Sequence, residues 1–376
     1  MSVPLSLERH ELRHSDGRRL LVYGPLRGRL PDRKADAEVE TVGVHRRLDV
    51  FTGSWVVISP ARNVRPAESG PAPDGARCPF CPGGFEVPFP YDAAVFDNRF
   101  PPLRPDPPPP PSLEGPTGPA RGRAEIVLYT ERHDASFGDL SPTELGRVLA
   151  VWTDRSRELW ADPAHAYVSI FENRGAAVGA TISHPHGQIY AVDHIPPVIA
   201  AKAEAHHRAR GRGECLSCAA VGTDELSPRL IAANAGFVVS VPFAPRWPYQ
   251  LAVRARRHGA GRLGDLEPSE QIDLIVALDE AVRRLDALLG FPAPYMMVAQ
   301  EAPRDQPDWH LCFELYPLNR SSQQVKIRAS SETGLGLFLD DVEPEAAARR
   351  LAGLEIERPP VEPGHLMVVD HGEPPA

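Results

Sequence analysis

Cysteine, aromatic residues, positive charge and long apolar runs are all scarce in this sequence. Its 376 residues include 5 cysteines and 7% aromatic residues, and the formal net charge is −9. No run approaches the length of about 20 apolar residues that a membrane-spanning helix needs. An acidic chain is also a poor candidate for non-specific nucleic-acid binding, because it repels the phosphate backbone. We therefore expect a soluble, cytoplasmic protein with no membrane and no nucleic-acid partner.

Proline, by contrast, is abundant and marks loops. The 42 prolines cluster at 60–90, at 101–119 and after Glu355. The five consecutive prolines after Asp106 cannot pair in a sheet, since proline lacks the backbone N–H donor. We expect a surface loop there. A chain of this length exceeds what one hydrophobic core usually serves, which indicates two domains with short tails.

An internal repeat organises most of the chain. Residues 132–144 contain Arg-His, Gly-Asp-Leu and Pro-Thr-Glu, and residues 257–270 contain Arg-His, Gly-Asp-Leu and Pro-Ser-Glu in the same order. Each set leads into an amphipathic helical pattern, then a strand pattern, then a strand that carries histidine. A Cys-x-x-Cys pair precedes each copy. The repeat predicts an α+β fold made of two similar halves.

This repeat divides the chain into four predicted segments. They are an N-terminal extension over 1–44, a first half over 45–200, a second half over 205–355 and a flexible tail over 356–376. The tail is rich in proline and lies at a chain end, and both properties favour poor order.

Each half carries four residues that suit one metal ion. A Cys-x-x-Cys turn can point both sulfurs at one ion, and zinc favours four tetrahedral cysteine and histidine ligands. The two histidines of each copy are 51 and 52 residues apart. A single such pair is explained as well by buried thiols without metal, but the repetition favours two closed, structural zinc sites. The predicted ligands are Cys78, Cys81, His133 and His184 in the first half, and Cys215, Cys218, His258 and His310 in the second. The fifth cysteine, Cys312, is expected to be a buried core residue.

The run 184–188, His-Pro-His-Gly-Gln, is the most informative segment for chemistry. Alternate side chains of a strand share a face, so His184, His186 and Gln188 would point the same way. A neutral imidazole is a competent nucleophile toward phosphorus, and an amide can donate to a phosphoryl oxygen. The glycine-containing stretch 171–181 lets a diphosphate approach backbone N–H groups. The combination predicts phosphoryl-group transfer through His186, assisted by Gln188.

The segment from Phe171 to Tyr190 resembles the signature of galactose-1-phosphate uridylyltransferases, in the histidine-triad superfamily. Segments 46–66, 95–101, 247–249 and 326–332 resemble further motifs of that family. The resemblance implies two tandem histidine-triad-like halves, with an antiparallel-rich sheet and flanking helices, in a homodimer.

The resemblance also implies a reaction and a set of site residues. UDP-glucose would transfer its uridylyl group to His186, and galactose 1-phosphate would then accept it, leaving UDP-galactose and glucose 1-phosphate. The residues implied for the nucleotide or its phosphates are Arg62, Arg65 and Asn98; those for the phosphoryl pocket are Asn173, Gly179, Thr181 and Gln188; those for the hexose, from the partner subunit, are Lys326 and Glu332.

The sequence departs from the family pattern in two places. Some members have a second histidine where this chain has Cys312, and the segment 328–332 replaces a small, glycine-containing sequence. Three alternatives therefore stand beside the uridylyl reaction. They are an ADP-sugar phosphorylase of the same superfamily, a dinucleotide hydrolase that passes its intermediate to water, and a zinc module without activity.

Overall fold

The computed structural model describes residues 5–31, 43–64 and 78–371. The strands are β1 (Leu5–Arg13), β2 (Arg19–Tyr23), β3 (His45–Asp49), β4 (Ser54–Ile58), β5 (Ala93–Asp97), β6 (Thr117–Pro119), β7 (Gly122–Leu128), β8 (Tyr167–Arg174), β9 (His186–Val192), β10 (Leu230–Ala233), β11 (Phe237–Ser240), β12 (Leu251–Ala255), β13 (Tyr295–Gln300), β14 (Cys312–Pro317), β15 (Asn319–Ser321), β16 (Gln324–Val325) and β17 (Met367–Asp370). The α-helices are α1 (Pro142–Ala161), α2 (Pro197–Arg210), α3 (Leu216–Leu226), α4 (Pro268–Leu289), α5 (Ser330–Leu335) and α6 (Pro344–Ala352).

Within these residues, 12 strands form one sheet in the order β10-β11-β12-β14-β13-β8-β9-β7-β5-β2-β1-β17. The order of the central eight strands is symmetric about the β13–β8 pair. Strands β11, β12, β14 and β13 of the second half correspond to β5, β7, β9 and β8 of the first. Helix α1 connects β7 to β8, and α4 connects β12 to β13 in the same way. The duplicated α+β fold with an antiparallel-rich sheet is therefore confirmed.

Helices α1 and α4 begin at the repeated proline motifs, and for the same reason. Proline suits the first helical turn, where its missing N–H is not needed. The carboxylate of Glu144 accepts from the backbone N–H of Ser141 at 2.9 Å, and Glu270 accepts from that of Glu267 at 2.8 Å. Helix α4 ends at Gly290, whose φ of 79° suits a residue without a Cβ.

The main hydrophobic core lies between these two helices and one face of the sheet, and it continues across both halves. Each fully buried large apolar side chain contributes about 1.5–3 kcal/mol relative to exposure. The predicted apolar faces are buried here, with Leu145, Val148, Leu149, Trp152 and Leu159 from α1, and Ile275, Leu278, Val282, Leu285 and Leu289 from α4.

The two halves meet at β8 and β13, which pair antiparallel from Tyr295 opposite Arg174 to Val298 opposite Phe171. On the face of the sheet away from α1, a second sheet in the order β4-β3-β6 packs beside β9. The face of β9 next to this second sheet is called the site face below. No helix among the described residues has both the length and the apolar character required to cross a bilayer.

The two chain ends extend the first half. Strands β1 and β2 lie within the predicted N-terminal extension, and β2 pairs with β5. Within the predicted tail over 356–376, β17 pairs in parallel with β1. The physical reason is a short apolar run: Leu366 and Met367 are buried against α1 and β1, which offsets the cost of ordering the segment. Residues 372–376 lie outside the described part, and the other boundaries stay predictions.

Candidate active site and metal clusters

The first predicted metal cluster is assembled. One ligand atom from each of Cys78, Cys81, His133 and His184 lies within 4.8 Å of the others. The Sγ atom of Cys81 is 3.3 Å from Nδ1 of His133 and 3.6 Å from Nδ1 of His184. Sulfur and nitrogen ligands on one tetrahedral zinc ion are about 3.5 Å apart, from the usual metal–ligand lengths. The donor set and its spacing therefore fit zinc.

Two local features hold this cluster in shape. The turn 78–84 is closed by the N–H of Gly84, which donates to the Cys81 carbonyl at 2.8 Å. A Cβ at Gly84 would lie 2.6 Å from the carbonyl oxygen of Cys78, so glycine is required. The Nε2 atom of His184 lies 2.8 Å from the carbonyl oxygen of Thr130. Because a carbonyl can only accept, Nε2 carries the proton and Nδ1 presents its lone pair to the cluster.

The second cluster has the same composition and spacing. The Sγ atom of Cys218 is 3.5 Å from Nδ1 of His258 and 3.4 Å from Nε2 of His310, and Sγ of Cys215 is 3.7 Å from the same Nε2. Here His310 turns its other nitrogen away, donating from Nδ1 to the Ala255 carbonyl at 2.8 Å. Burial lowers the pKa of His310, so the ring is neutral, as a ligand must be. All eight predicted ligands are thus brought together in two candidate metal clusters.

His186 lies at the start of β9, directly after the first cluster. Its Nδ1 atom is 2.8 Å from the carbonyl oxygen of His184, so Nδ1 donates and Nε2 holds the lone pair of the neutral ring. The edge of the ring packs against Phe80, with ring centroids 5.2 Å apart. Phe80 lies between Cys78 and Cys81. The cluster turn therefore supports the candidate nucleophile directly, which the sequence did not indicate.

Gln188 and Tyr190 follow His186 on the site face, as alternation predicts. The Tyr190 hydroxyl lies 3.4 Å from Oε1 of Gln188 and 3.5 Å from a guanidinium nitrogen of Arg62. The ring of Phe171 packs edge-on against Tyr190 at 4.8 Å. Because Oε1 of Gln188 accepts from the hydroxyl, its amide N–H₂ is the end that can donate to a phosphoryl oxygen.

Four further predicted residues lie on strands and turns of the first half. Phe171 pairs with Gln188 at the end of the β8–β9 register, and Asn173 is two residues further along β8, on the same face of the strand as Phe171. Gly179 adopts a φ of 81° at the end of the turn Ala176–Val178, and Thr181 is half-buried shortly after it. Asn98 follows β5, and its Oδ1 atom accepts from the N–H of Phe100 at 2.9 Å. Arg65 lies outside the described residues.

Lys326 and Glu332 are placed together. Their charged groups are 2.8 Å apart and both side chains are almost fully buried. A hydrogen bond from Lys326 lowers the pKa of Glu332.

The second half lacks an equivalent of the nucleophile. Cys312 lies on β14 at the position that His186 occupies on the corresponding strand β9, and it is buried, as predicted. Burial raises the pKa of its thiol to about 11, which keeps it protonated. Lys202 of α2 pairs at 2.8 Å with Glu314, which stands at the position of Gln188. One half therefore carries the candidate chemistry.

Comparison with known proteins shows the family to which the chain belongs. The sequence model described as galactose-1-phosphate uridyl transferase, N-terminal domain, matches residues 34–196. The chain is 34% identical to the galactose-1-phosphate uridylyltransferase of Thermotoga maritima, over 83% of this chain and 98% of that protein. It is 32% identical to the enzyme of the same name from Streptomyces lividans, over 92% of this chain and 97% of that protein.

Solved structures give the same result. A uridylyltransferase structure superposes with a TM-score of 0.75 at 32% identity, covering 82% of this chain and 97% of that one. An ADP-glucose phosphorylase from Arabidopsis thaliana, with bound ADP-glucose, has a TM-score of 0.64 at 22% identity, covering 83% and 99%. The second likeness shows the fold alone. Fold and site thus define a transferase built from two copies of one α+β unit. More particularly, the chain belongs to the galactose-1-phosphate uridylyltransferase family, as its motifs predicted.

Proposed function

We propose that this protein transfers the uridylyl group of UDP-glucose to galactose 1-phosphate through a covalent uridylyl-His186. The supporting observation is the hydrogen bond of 2.8 Å from Nδ1 of His186 to the His184 carbonyl. It fixes the tautomer, so that Nε2 is the nucleophilic atom, and it orients the ring before substrate binds.

The reaction proceeds by two displacements at the same phosphorus. In the first, the Nε2 lone pair of His186 attacks the α-phosphorus of UDP-glucose, and the bond to the glucose 1-phosphate oxygen breaks. The ring then carries a positive charge, which the His184 carbonyl stabilises through Nδ1–H. In the second, a phosphate oxygen of galactose 1-phosphate attacks, the P–N bond breaks and the lone pair returns to Nε2. No net proton transfer is needed, since both sugar phosphates are ionised.

The chain's other groups stabilise charge on the transferred phosphoryl group. Gln188 donates its amide to a non-bridging oxygen, and Asn173 is proposed to do the same. We further propose that Gly179 and Thr181 contact the phosphates, and that Arg62, Arg65 and Asn98 contact the nucleotide.

The metal clusters are proposed to be structural zinc sites. Four protein ligands would complete each tetrahedral site, so the metal would stabilise the local fold and would leave no open coordination position for a substrate. In the first cluster the metal would hold the turn 78–84, and with it Phe80, against His186. The second cluster would pin the Cys215–Cys218 turn to His258 and His310 beside the second half of the sheet.

A homodimer is proposed from the position of Lys326 and Glu332. In one chain these two residues contact each other. The surface around them is apolar and exposed, a property typical of interaction surfaces, with Ile327, Leu335, Leu337 and Leu339 each more than half exposed. A second copy that covers this surface would bring the pair to the partner's site for the hexose. We expect the dimer to be cytoplasmic.

The test is to trap the intermediate. The protein is incubated with UDP-glucose labelled at the α-phosphorus, without acceptor, and denatured in alkali. Protein-bound label that mild acid releases is expected for the wild type and for His207→Ala, an exposed histidine control on α2. His186→Gly is expected to carry none. Label from ADP-glucose instead of UDP-glucose would contradict the uridylyl reaction and favour the adenylyl alternative.

A further inference from the structure

At Gly187, strand β9 is contacted by Tyr129 on the face of the sheet opposite the site face. His186 and Gln188 point to the site face, so Gly187 between them faces the layer of α1 and α4. A Cβ added to Gly187 would lie 2.2 Å from the hydroxyl oxygen of Tyr129 and 3.3 Å from the Phe171 carbonyl oxygen. The Tyr129 hydroxyl therefore contacts the backbone of β9 between the two candidate catalytic side chains, and a movement of this ring moves both.

A buried carboxyl group lies next to that contact. Phe171 pairs with Gln188, so the following residue, Glu172, lies beside Gly187 on the core face. Glu172 is 3% exposed, and its Oε1 atom accepts from the hydroxyl of Tyr295 at 3.2 Å. Its Oε2 atom and the Tyr129 hydroxyl are both buried, and the interaction between the two groups favours the carboxylate form of Glu172.

The charge of this carboxyl responds to conditions near neutrality. Burial raises the pKa of Glu172 to about 7, against the opposing effects of Arg174 and of the two tyrosine hydroxyls. Asp286, paired with Arg174 across the seam between the halves, adds to the rise. These charged and titratable groups reach Glu172 from the residue that follows β7, from β8, from β13 and from α4.

We propose that Glu172 is a positioning residue for the transfer, acting on His186 and Gln188 through Tyr129 and Gly187. As a carboxylate it can accept from Tyr129 and Tyr295 together, one from each half, and so hold the Tyr129 ring against β9. Once protonated, one oxygen becomes a donor, and Tyr129 must direct its own proton elsewhere. The proposal rests on the proposed function and adds a residue that does not touch the substrate.

The test is Glu172→Gln, which keeps the shape of the side chain and removes its charge. The single-turnover rate of His186 labelling is measured between about pH 6 and pH 9, on either side of the pKa of Glu172. Because the carboxylate is the form of Glu172 that positions Tyr129, the wild-type rate is expected to rise as the pH increases through the pKa of Glu172. Glu172→Gln is expected to lose that rise and to be slower by about tenfold to a hundredfold at high pH. Its dissociation constant for UDP-glucose should stay unchanged.

Two further variants separate positioning from folding. Tyr295→Phe removes a donor that favours the carboxylate, so the pKa of Glu172 rises further and the rise in rate shifts to higher pH. Glu301→Gln is the matched control: Glu301 is also fully buried and accepts from Ser156 and Trp160, but it lies away from β9. It is expected to lower the melting temperature and to leave the pH profile unchanged.

The outcomes are distinguishable. An unchanged pH profile in folded Glu172→Gln, with normal wild-type labelling, would overturn the inference and leave the proposed function intact. Absence of label in the wild type would instead remove the proposed function. If Glu172→Gln does not fold, the shift in Tyr295→Phe decides, and no shift would overturn the inference.

Discussion

Replacing Gly187 with alanine is expected to damage both the reaction and the fold. The new Cβ would start 2.2 Å from the Tyr129 hydroxyl oxygen, and real Cβ contacts are not shorter than 3.0 Å, so one group must move by about 0.8 Å. Tyr129 is completely buried against Phe137 and Trp152 and has little room to yield. Overpacking of this kind costs about 1–3 kcal/mol. A displacement of about 1 Å at a reacting group lowers the rate by up to about a hundredfold.

The assay is a pair of measurements on each variant: the free energy of unfolding from urea titration, and the single-turnover rate of His186 labelling. Gly222→Ala in α3 is the control, because nothing lies within 4 Å of a Cβ there, and alanine should be neutral or stabilising by up to about 1 kcal/mol. Tyr129→Phe in the Gly187→Ala background removes the closest atom, leaving Cζ at 3.1 Å. Stability should then largely return, while the rate stays low. Wild-type stability and rate in Gly187→Ala would refute the contact itself.

Two more predictions follow from the clusters and the core. Metal analysis should give about two zinc ions per chain. Cys218→Ser should lower the zinc content to about one ion per chain without loss of His186 labelling. A zinc content near zero in the wild type would contradict both metal sites. Arg155→Met should destabilise the protein by about 3–5 kcal/mol in urea titrations at neutral pH, because it leaves the fully buried Glu125 without its bidentate partner at 2.9 Å. Burial alone would raise the pKa of Glu125, but Arg155 and Arg19 outweigh it and lower the pKa. The stability from this carboxylate is therefore present above about pH 4.3, its unfolded value, and is lost as pH falls through the lower folded value. Arg155→Met should flatten that loss, and an unchanged acid transition would contradict the assignment.

Much of the candidate site could be predicted from local sequence patterns. The ligands of both clusters follow from the repeat, since two copies of one spacing are far more informative than one Cys-x-x-Cys pair. The order of His186, Gln188 and Tyr190 on one face follows from the two-residue period of a strand. These features depend on short separations along the chain, or on a comparison of the chain with itself.

Contacts between segments that are far apart in the sequence could not be predicted from local patterns. Nothing in the sequence indicates that Tyr129 reaches Gly187, or that Phe80 packs on His186, because such contacts depend on strand register and packing. The pairing of β17 with β1 was hidden for a related reason, because it joins two segments from opposite ends of the described chain. The mutual pairing of Lys326 and Glu332 was likewise hidden, since motif resemblance assigns a residue a role but not its neighbours.

The seam between β8 and β13 has a consequence for the ancestry of this architecture. A single unit, before duplication, would have ended at an unpaired edge equivalent to β8, and such an edge recruits another strand. Two identical units meeting edge to edge form a twofold-symmetric dimer with two equal sites. Fusion of the genes would make the dimer permanent and release one copy from selection for catalysis. A chain with two candidate metal clusters and one candidate nucleophilic histidine is the expected product of that history, and Cys312 marks the copy without the nucleophile.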